Sequence, residues 1–235
     1  MKQFPYLLSF ILMTISCSSS EQKVIVSPYV TPSNMNIPKR SYLALGDSYT
    51  IGQNVPESER WSAYLCNLLK PDFDIPQYDI IARTGWTTEE LIDAINEKNL
   101  TGEYDLVSLL IGVNNQYRGQ SIEKYRTEFR KLLKISIKYA KNDSKKVVVL
   151  SIPDWGVTPF AGSSDKQKIA SEIDKFNAVA KEECRNMNIA FVNITDISRS
   201  NIDYSMIASD QLHFSGKMHE LWAKEALSTV KNILK

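Results

Sequence analysis

The stretch Leu43-Ala-Leu-Gly-Asp-Ser-Tyr-Thr-Ile-Gly52 sets a glycine, an acid and a hydroxyl directly after an apolar run. Four more short apolar runs follow along the chain, at residues 78–81, 106–111, 147–152 and 189–192. Nearly continuous apolar runs of this kind are typical of parallel strands that helices cover on both faces. They predict about five parallel strands, the first over residues 42–45.

Amphipathic segments separate these runs and predict helices. Apolar side chains fall close to one helical face in five segments, at residues 59–69, 87–97, 122–140, 165–186 and 218–233. The second segment begins with Thr87 and Thr88, either of which can cap it, and Glu90 is placed to close a capping box. Strands that alternate with helices predict one α/β domain over residues 41–235, with a parallel sheet sandwiched between helices.

Composition and charge narrow the class of protein. Of 235 residues, 43% are apolar and 23% charged, so a chain of this size can bury a sizeable core without disulfides or metals. Lys and Arg number 28 against 27 Asp and Glu, and this balance gives no reason to expect nucleic acid as a partner. Cys66 and Cys184 lie in helical patterns, where buried thiols are more common than a disulfide.

The N-terminal residues differ in kind from the rest. Residues 1–16 have one positive charge, a short apolar stretch and then small residues, which is the layout of a secretory signal peptide. Cys17 follows at once, so the segment resembles a bacterial lipoprotein signal with a lipidated cysteine, although Thr14 stands where leucine is usual. Residues 17–40 hold three prolines and predict a tether. We expect export, with a membrane anchor on Cys17 at the periplasm or cell surface, or secretion if a plain signal is cleaved.

Functional residues are expected just after the strands, because sites in open parallel sheets form beyond the carboxyl ends of the strands. Ser48 follows the first strand, Gly85 the second and Asn114 the third. A hydroxyl, a bare backbone amide and a side-chain amide at these points would suit a reaction that develops an oxyanion. Capping and turn formation remain open as ordinary roles for all three. Asp154, after the fourth strand, stays open as a further catalytic group.

Imidazole chemistry has only two candidates in this chain, His213 and His219. Asp210 stands three residues before His213 on a predicted loop, where its carboxylate can accept the Nδ1–H of the ring and leave the other nitrogen free as a base. His219 lies inside the last predicted helix and is expected to be solvated or half-buried. A zinc site is not predicted, because two histidines six positions apart without a cysteine pair lack the usual ligand spacing.

Taken together, the four segments resemble the SGNH or GDSL family of hydrolases. The blocks are Gly46-Asp-Ser48, Gly85, Gly112-Val-Asn114 and Asp210-Gln-Leu-His213, in the order of the family and over essentially the whole domain. Two positions depart from the usual pattern. Asn115 replaces an aspartate of the third block, and Phe214 replaces a proline after the histidine.

The resemblance implies a three-layer α/β/α sandwich of flavodoxin-like type. It also implies that Ser48 is the nucleophile, that His213 is the general base and then acid, and that Asp210 orients His213. The backbone amides of Ser48 and Gly85, with the side-chain amide of Asn114, would form an oxyanion hole, in which each donor is worth roughly a hundredfold or more in rate. No metal and no organic cofactor is required.

The leading hypothesis is an exported serine esterase that cleaves a small-molecule, lipid or glycan ester through an acyl-enzyme. Two alternatives stay open. The same site could transfer the acyl group to an acceptor other than water. A non-catalytic surface protein could also keep the fold and bind carbohydrate through Trp86, Trp155 and Phe160 in the predicted rim loops.

Overall fold

The computed structural model describes residues 37–200 and 202–235. The predicted signal peptide, Cys17 and most of the predicted tether lie outside the described residues. Within them the chain forms one five-stranded parallel sheet in the order β2-β1-β3-β4-β5. Its strands are β1 Tyr42–Gly46, β2 Tyr78–Ala82, β3 Leu106–Leu110, β4 Val147–Leu150 and β5 Ala190–Val192.

All five predicted strands are confirmed, with small differences at their ends. The predicted fourth strand runs to residue 152, whereas β4 stops at Leu150. Beyond Leu150, the Asn177 side chain makes both hydrogen bonds of the Ile152 backbone. It accepts the N–H at 2.8 Å and donates to the carbonyl at 3.1 Å. A side chain thus replaces the neighbouring strand as hydrogen-bond partner, and the chain turns away toward Pro153.

Eight α-helices accompany the sheet within the described residues. They are α1 Ser48–Ile51, α2 Trp61–Leu69, α3 Thr88–Lys98, α4 Val113–Tyr117, α5 Ile122–Tyr139, α6 Lys166–Asn186, α7 Thr195–Arg199 and α8 Gly216–Leu234. The five predicted helices correspond to α2, α3, α5, α6 and α8. The other three have four or five residues each, which is too short for a sequence period to show.

The helices form two layers. Helix α2 packs on α8, while α5 packs on both α3 and α6. Right-handed crossovers place these two groups on opposite faces of the sheet, so the fold is the expected three-layer α/β/α sandwich. Trp61 of α2 and Trp222 of α8 are fully buried in one layer, and Tyr125 and Phe129 of α5 are buried in the other.

The beginning of α3 shows how a local signal sets a site loop. Thr87 accepts the N–H of Glu90 at 3.4 Å through its hydroxyl, and Glu90 accepts the N–H of Thr87 at 2.7 Å through its carboxylate. This confirms the predicted capping box. It fixes the point at which the loop containing Gly85 ends.

Cys66 and Cys184 are buried free thiols on α2 and α6, in different helical layers. Burial raises the pKa of each thiol to about 12, which suppresses the reactive thiolate form.

The first described residues contact the rest of the domain. Lys39 forms an isolated parallel β-bridge with Asp74, and the Arg40 guanidinium donates to the carbonyl of Leu234 at 3.0 and 3.1 Å. The last residues of the predicted tether are therefore bonded to the domain. Across the described ranges we find no helix of the length and apolarity that a membrane span requires.

Candidate active site

Ser48 is the first residue of α1, directly beyond the carboxyl end of β1. Asp47 caps this short helix, because its Oδ1 accepts the N–H of Tyr49 at 3.0 Å. The carboxyl of Asp47 is buried, and burial raises its pKa to about 7 in spite of nearby backbone N–H groups. Ser48 itself is 5% exposed, so the helix presents a nearly enclosed hydroxyl.

Asp210 and His213 form a bonded pair on the loop before α8. The Nδ1 of His213 lies 2.5 Å from Oδ2 of Asp210, and Oδ1 of Asp210 accepts the N–H groups of Leu212 and His213 at 3.0 and 2.9 Å. Partial burial works to raise the pKa of Asp210, but the bonds from His213 and from the backbone outweigh it and lower the pKa. The carboxylate therefore stays ionised in direct contact with the ring.

One pocket brings three of the predicted residues together. Ser48, Asn114 and His213 all line it, and its volume is about 470 Å³ with the open mouth included. The other lining residues are mostly apolar: Tyr49, Val113, Tyr117, Trp155, Phe160 and Leu212. Asp210 bonds to His213 from outside this lining, and Gly85 is not part of it.

The three predicted oxyanion donors have protons to offer. Asn114 donates from Nδ2 to the carbonyl of Trp86 at 2.9 Å, which fixes the amide and leaves its second hydrogen free. The N–H groups of Ser48 and Gly85 donate to no acceptor among the described residues. Unused N–H donors of this kind suit a developing negative charge.

Glycine is required on two of the site loops for different reasons. Gly85 has φ of 86°, a left-handed conformation that side chains with a Cβ rarely adopt. At Gly112 a Cβ would lie 2.8 Å from side-chain atoms of Ile152 and of Tyr125, so nothing larger fits between β3 and α4. Both glycines thus fix the course of a loop that carries a predicted site residue.

Asn115, the departure from the third block, is fully buried and has a structural role. Its Oδ1 accepts the N–H of Thr88 at 3.1 Å, and its Nδ2 donates to Oγ1 of Thr88 at 2.6 Å and to Oε1 of Gln120 at 2.9 Å. The hydroxyl of Thr88 in turn donates to Glu128 at 2.5 Å. Asn115 therefore links α4, which contains Asn114, to the start of α3, which follows the loop containing Gly85.

Several neighbours of the site escape sequence reasoning. Asn54 donates from Nδ2 to Oδ2 of Asp210. Gln53 accepts from the hydroxyl of Thr84 at 2.5 Å, and Arg118 donates to the carbonyl of Gly85 at 2.6 Å. Each contact joins residues more than thirty positions apart, so no local spacing could reveal it. Residues outside the four sequence blocks thus make polar contacts to the site loops.

The structure contradicts the expected exposure of His219 and gives definite places to Asp154 and the three aromatic residues. His219 is 1% exposed, so the prediction of a solvated or half-buried residue is wrong. Asp154 is buried, accepts the N–H of Gly156 at 2.8 Å and pairs with Nε of Arg199 at 2.8 Å, which makes it a structural residue. Of the three aromatic residues expected at the rim, Trp155 and Phe160 line the pocket, while Trp86 does not.

Metal binding finds no support in the geometry of the described part of the chain. No three of its His, Cys, Asp and Glu side chains are grouped so that they could hold a metal ion.

Comparison with known proteins places this geometry in a family. The sequence model of the GDSL-like lipase/acylhydrolase family matches residues 44–221. A search of the curated proteins found no significant match.

Several solved structures share the fold. A lipase/acylhydrolase from Enterococcus faecalis is 20% identical, with a TM-score of 0.62 over 83% of this chain and 97% of that chain. The psychrotrophic esterase EstA from Pseudoalteromonas sp. is 19% identical, with a TM-score of 0.61 over 83% and 98%. The acetylxylan esterase Axe2 from Geobacillus stearothermophilus is 19% identical, with a TM-score of 0.63 over 83% and 96%.

The family match begins in β1 and ends in α8, so it spans every segment that carries a predicted catalytic or oxyanion-hole residue. It covers well over half of the 235 residues. The chain belongs to the GDSL-like lipase/acylhydrolase family and is an ester-hydrolysing serine hydrolase.

Proposed function

We propose that this protein is an exported esterase that hydrolyses carboxylic esters at Ser48 through a Ser48–His213–Asp210 triad. The observation that carries the proposal is the bonded pair of Asp210 and His213, with the ring of His213 lining the same pocket as Ser48 and Asn114. This is the set of groups that acyl transfer through a serine requires.

In the first half of the reaction, Oγ of Ser48 attacks the ester carbonyl carbon while Nε2 of His213 takes the hydroxyl proton. The carbonyl oxygen becomes an oxyanion, which accepts hydrogen bonds from the N–H groups of Ser48 and Gly85 and from the amide of Asn114. As this intermediate collapses, His213 returns its proton to the leaving alkoxide. The alcohol departs and Ser48 remains as an acyl ester.

In the second half, water takes the place of the alcohol. His213 removes a proton from the water, the hydroxide attacks the acyl carbonyl, and the oxyanion forms again in the same hole. Collapse of this intermediate gives the carboxylic acid and returns the proton to Oγ of Ser48. Throughout, the ionised Asp210 stabilises the imidazolium that forms on His213.

The proposed substrate is a carboxylic ester, with an acyl or acetyl group on a small-molecule, lipid or glycan alcohol. The pocket around Ser48 has a mostly apolar wall, and no Asp, Glu, Lys or Arg is among the described residues that line it. Such a wall suits the hydrocarbon part of an ester and offers no charged partner for an ionic substrate.

Hydrolysis of p-nitrophenyl acetate, butyrate and octanoate by the purified protein tests the proposal, with Ser48→Ala as the control. We expect the substitution to abolish hydrolysis, and a serine-directed phosphonate to label the unchanged protein alone. Full activity in Ser48→Ala would contradict the proposal. Product analysis with added alcohols would reveal transfer of the acyl group to an acceptor other than water.

The proposed location is a membrane surface reached through a lipid on Cys17, after removal of residues 1–16. The membrane enters only through this anchor. Cys17→Ser should move the full-length protein from the membrane fraction to the soluble fraction without changing its esterase activity. An unchanged distribution between the fractions would refute the anchor.

A further inference from the structure

We propose that Asn54 is a positioning residue for the triad, which holds the carboxylate of Asp210 and thereby tunes His213. The inference rests on the proposed roles of Asp210 and His213. It goes beyond them because Asn54 belongs to none of the four sequence blocks.

The chain is bent sharply to bring Asn54 to this place. Helix α1 ends at Gly52, whose φ is 69°, and a turn closes with the N–H of Val55 donating to the carbonyl of Gly52 at 3.1 Å. Asn54 itself has φ of 63°, a left-handed conformation that asparagine tolerates better than most residues. The turn returns the chain toward Asp210, six positions after Ser48.

The bond from Asn54 completes the set of donors around the Asp210 carboxylate. Oδ1 accepts two backbone N–H groups of its own loop, those of Leu212 and His213. Oδ2 accepts Nδ1–H of His213 and Nδ2–H of Asn54. Asn54 is the one donor among these four that comes from another part of the chain, 156 positions away.

This outside donor matters because the Asp210 side chain is 30% exposed. Water could compete for Oδ2 on the exposed side and let the carboxylate turn about its terminal bond. A side-chain amide in that place excludes water from one lone pair and fixes the plane in which Oδ2 meets the ring. The orientation of the His213 ring then depends on Asn54 as well as on Asp210.

The amide also has an electrostatic effect of known sign. Its N–H points the positive end of a dipole at Oδ2, so it shares the negative charge that would otherwise stabilise the imidazolium of His213. Without Asn54, the imidazolium should form at higher pH. A carboxylate in its place should have the same effect to a larger degree.

Gln53, the residue before Asn54, also links this turn to a loop of the site. Gln53 accepts from the hydroxyl of Thr84 at 2.5 Å, next to Gly85 in the loop after β2. The two residues that follow Gly52 therefore bond to two separate loops of the site. The segment that begins with the nucleophile ends by contacting both the acid of the triad and the loop of an oxyanion donor.

Two substitutions test Asn54, and a third serves as a matched control. Asn54→Gly keeps the left-handed backbone but removes the donor, and Asn54→Asp keeps the shape but replaces the donor by a charge. Asn142→Gly changes another exposed asparagine with positive φ, 58°, outside the site. Thermal unfolding of all three confirms that they are folded before kinetics are compared.

For Asn54→Gly we expect kcat to fall roughly tenfold with little change in KM, as for a lost bond to a charged group. The acidic limb of kcat/KM against pH should move to higher pH, and further in Asn54→Asp. Asn142→Gly should match the unchanged protein in both. A fall in kcat with an unmoved limb would make Asn54 merely structural and overturn the proposal, as would an unchanged kcat.

A readout without substrate separates this proposal from the proposed function. The proton between Nδ1 of His213 and Asp210 gives a downfield NMR resonance, and its titration midpoint should rise in Asn54→Gly and stay constant in Asn142→Gly. Midpoints that coincide would refute the role of Asn54 even if Ser48 proves to be the nucleophile. Esterase activity surviving in Ser48→Ala would refute the triad instead, and the NMR comparison would still decide on Asn54.

Discussion

The two histidines of this chain lie six positions apart, and both are buried, yet they use their ring nitrogens in opposite ways. His213 offers Nδ1–H to the carboxylate of Asp210 at 2.5 Å. His219 accepts at Nδ1 the backbone N–H of Trp61, at 3.1 Å. Each ring also packs on an aromatic neighbour, with centroids 5.7 Å from Tyr49 for His213 and 4.7 Å from Trp222 for His219.

The hydrogen-bond partner of each buried ring decides whether its Nδ1 carries a proton. Burial, with a smaller effect from His213, lowers the pKa of His219 to about 3, so this ring stays neutral at any ordinary pH. A neutral ring can accept the N–H of Trp61, the first residue of α2, which has no partner inside its helix. His219 thus joins α8 to α2, whereas His213 bonds to the Asp210 carboxylate on the loop before α8.

Removing the imidazole of His213 should abolish nearly all activity. His213→Ala should lower kcat by roughly four orders of magnitude, because no other His, Lys, Asp or Glu is among the described residues that line the pocket of Ser48. His219→Ala should keep kcat within a few-fold of the unchanged protein wherever it remains folded. Assays of p-nitrophenyl butyrate hydrolysis at 15 °C compare the two; equal losses in both variants would contradict the assignment.

Asp210→Asn removes the charged partner of His213 and leaves the imidazole in place. The amide no longer supplies the charge that stabilises the imidazolium, and its NH₂ favours the wrong tautomer of His213. We expect kcat to fall by roughly three orders of magnitude with the fold intact. Circular dichroism and kcat are measured on the same sample, and a loss below tenfold would show that Asp210 is dispensable.

Much of this arrangement is readable in the sequence, and the unread part has a physical cause. Asp210 and His213 are three positions apart, so their bond follows from local geometry, and the rule for strand ends brings Ser48 and Asn114 to one edge. Asn54 could not be found in this way, because its partner is fixed only when α8 packs on the sheet. His219 did leave a signal: it stands three and four positions before the buried Trp222 and Ala223, on the core face of α8.

Stability should separate the histidines in the other direction. His219→Ala leaves the N–H of Trp61 without an acceptor and opens a cavity beside Trp222, which we expect to cost about 2–4 kcal/mol in the free energy of unfolding. Denaturant titration at pH 7.5 measures it. His219→Gln, which can still accept that N–H, should recover part of the loss, and no difference between Gln and Ala would show that the bond is unimportant.

The pH dependence of this contribution follows from the lowered pKa. The unfolded chain takes up a proton near pH 6.5, while folded His219 does so only near pH 3, so its stabilising contribution is complete above 6.5 and is lost as pH falls toward 3. His219→Gln should therefore flatten the loss of stability in acid. An unaltered slope between pH 6.5 and 4 would argue against burial of a neutral ring.

Asp47 also makes the free energy of unfolding depend on pH, with the opposite sign to His219 and over nearly the same pH range. Its pKa is raised from 3.8 to about 7, so the folded chain holds this proton more tightly, and the buried charge costs stability as pH rises through this interval. Asn caps a helix as well as Asp does, so Asp47→Asn should keep the bond to Tyr49 and remove only this cost. We expect the variant to gain about 3 kcal/mol relative to the unchanged protein between pH 4.5 and pH 8, from denaturant titrations at both values. If the free energy of unfolding of Asp47→Asn instead rose relative to the unchanged protein as pH falls, the folded chain would stabilise the Asp47 carboxylate. Asp47 would then be a fixed negative charge beside Ser48.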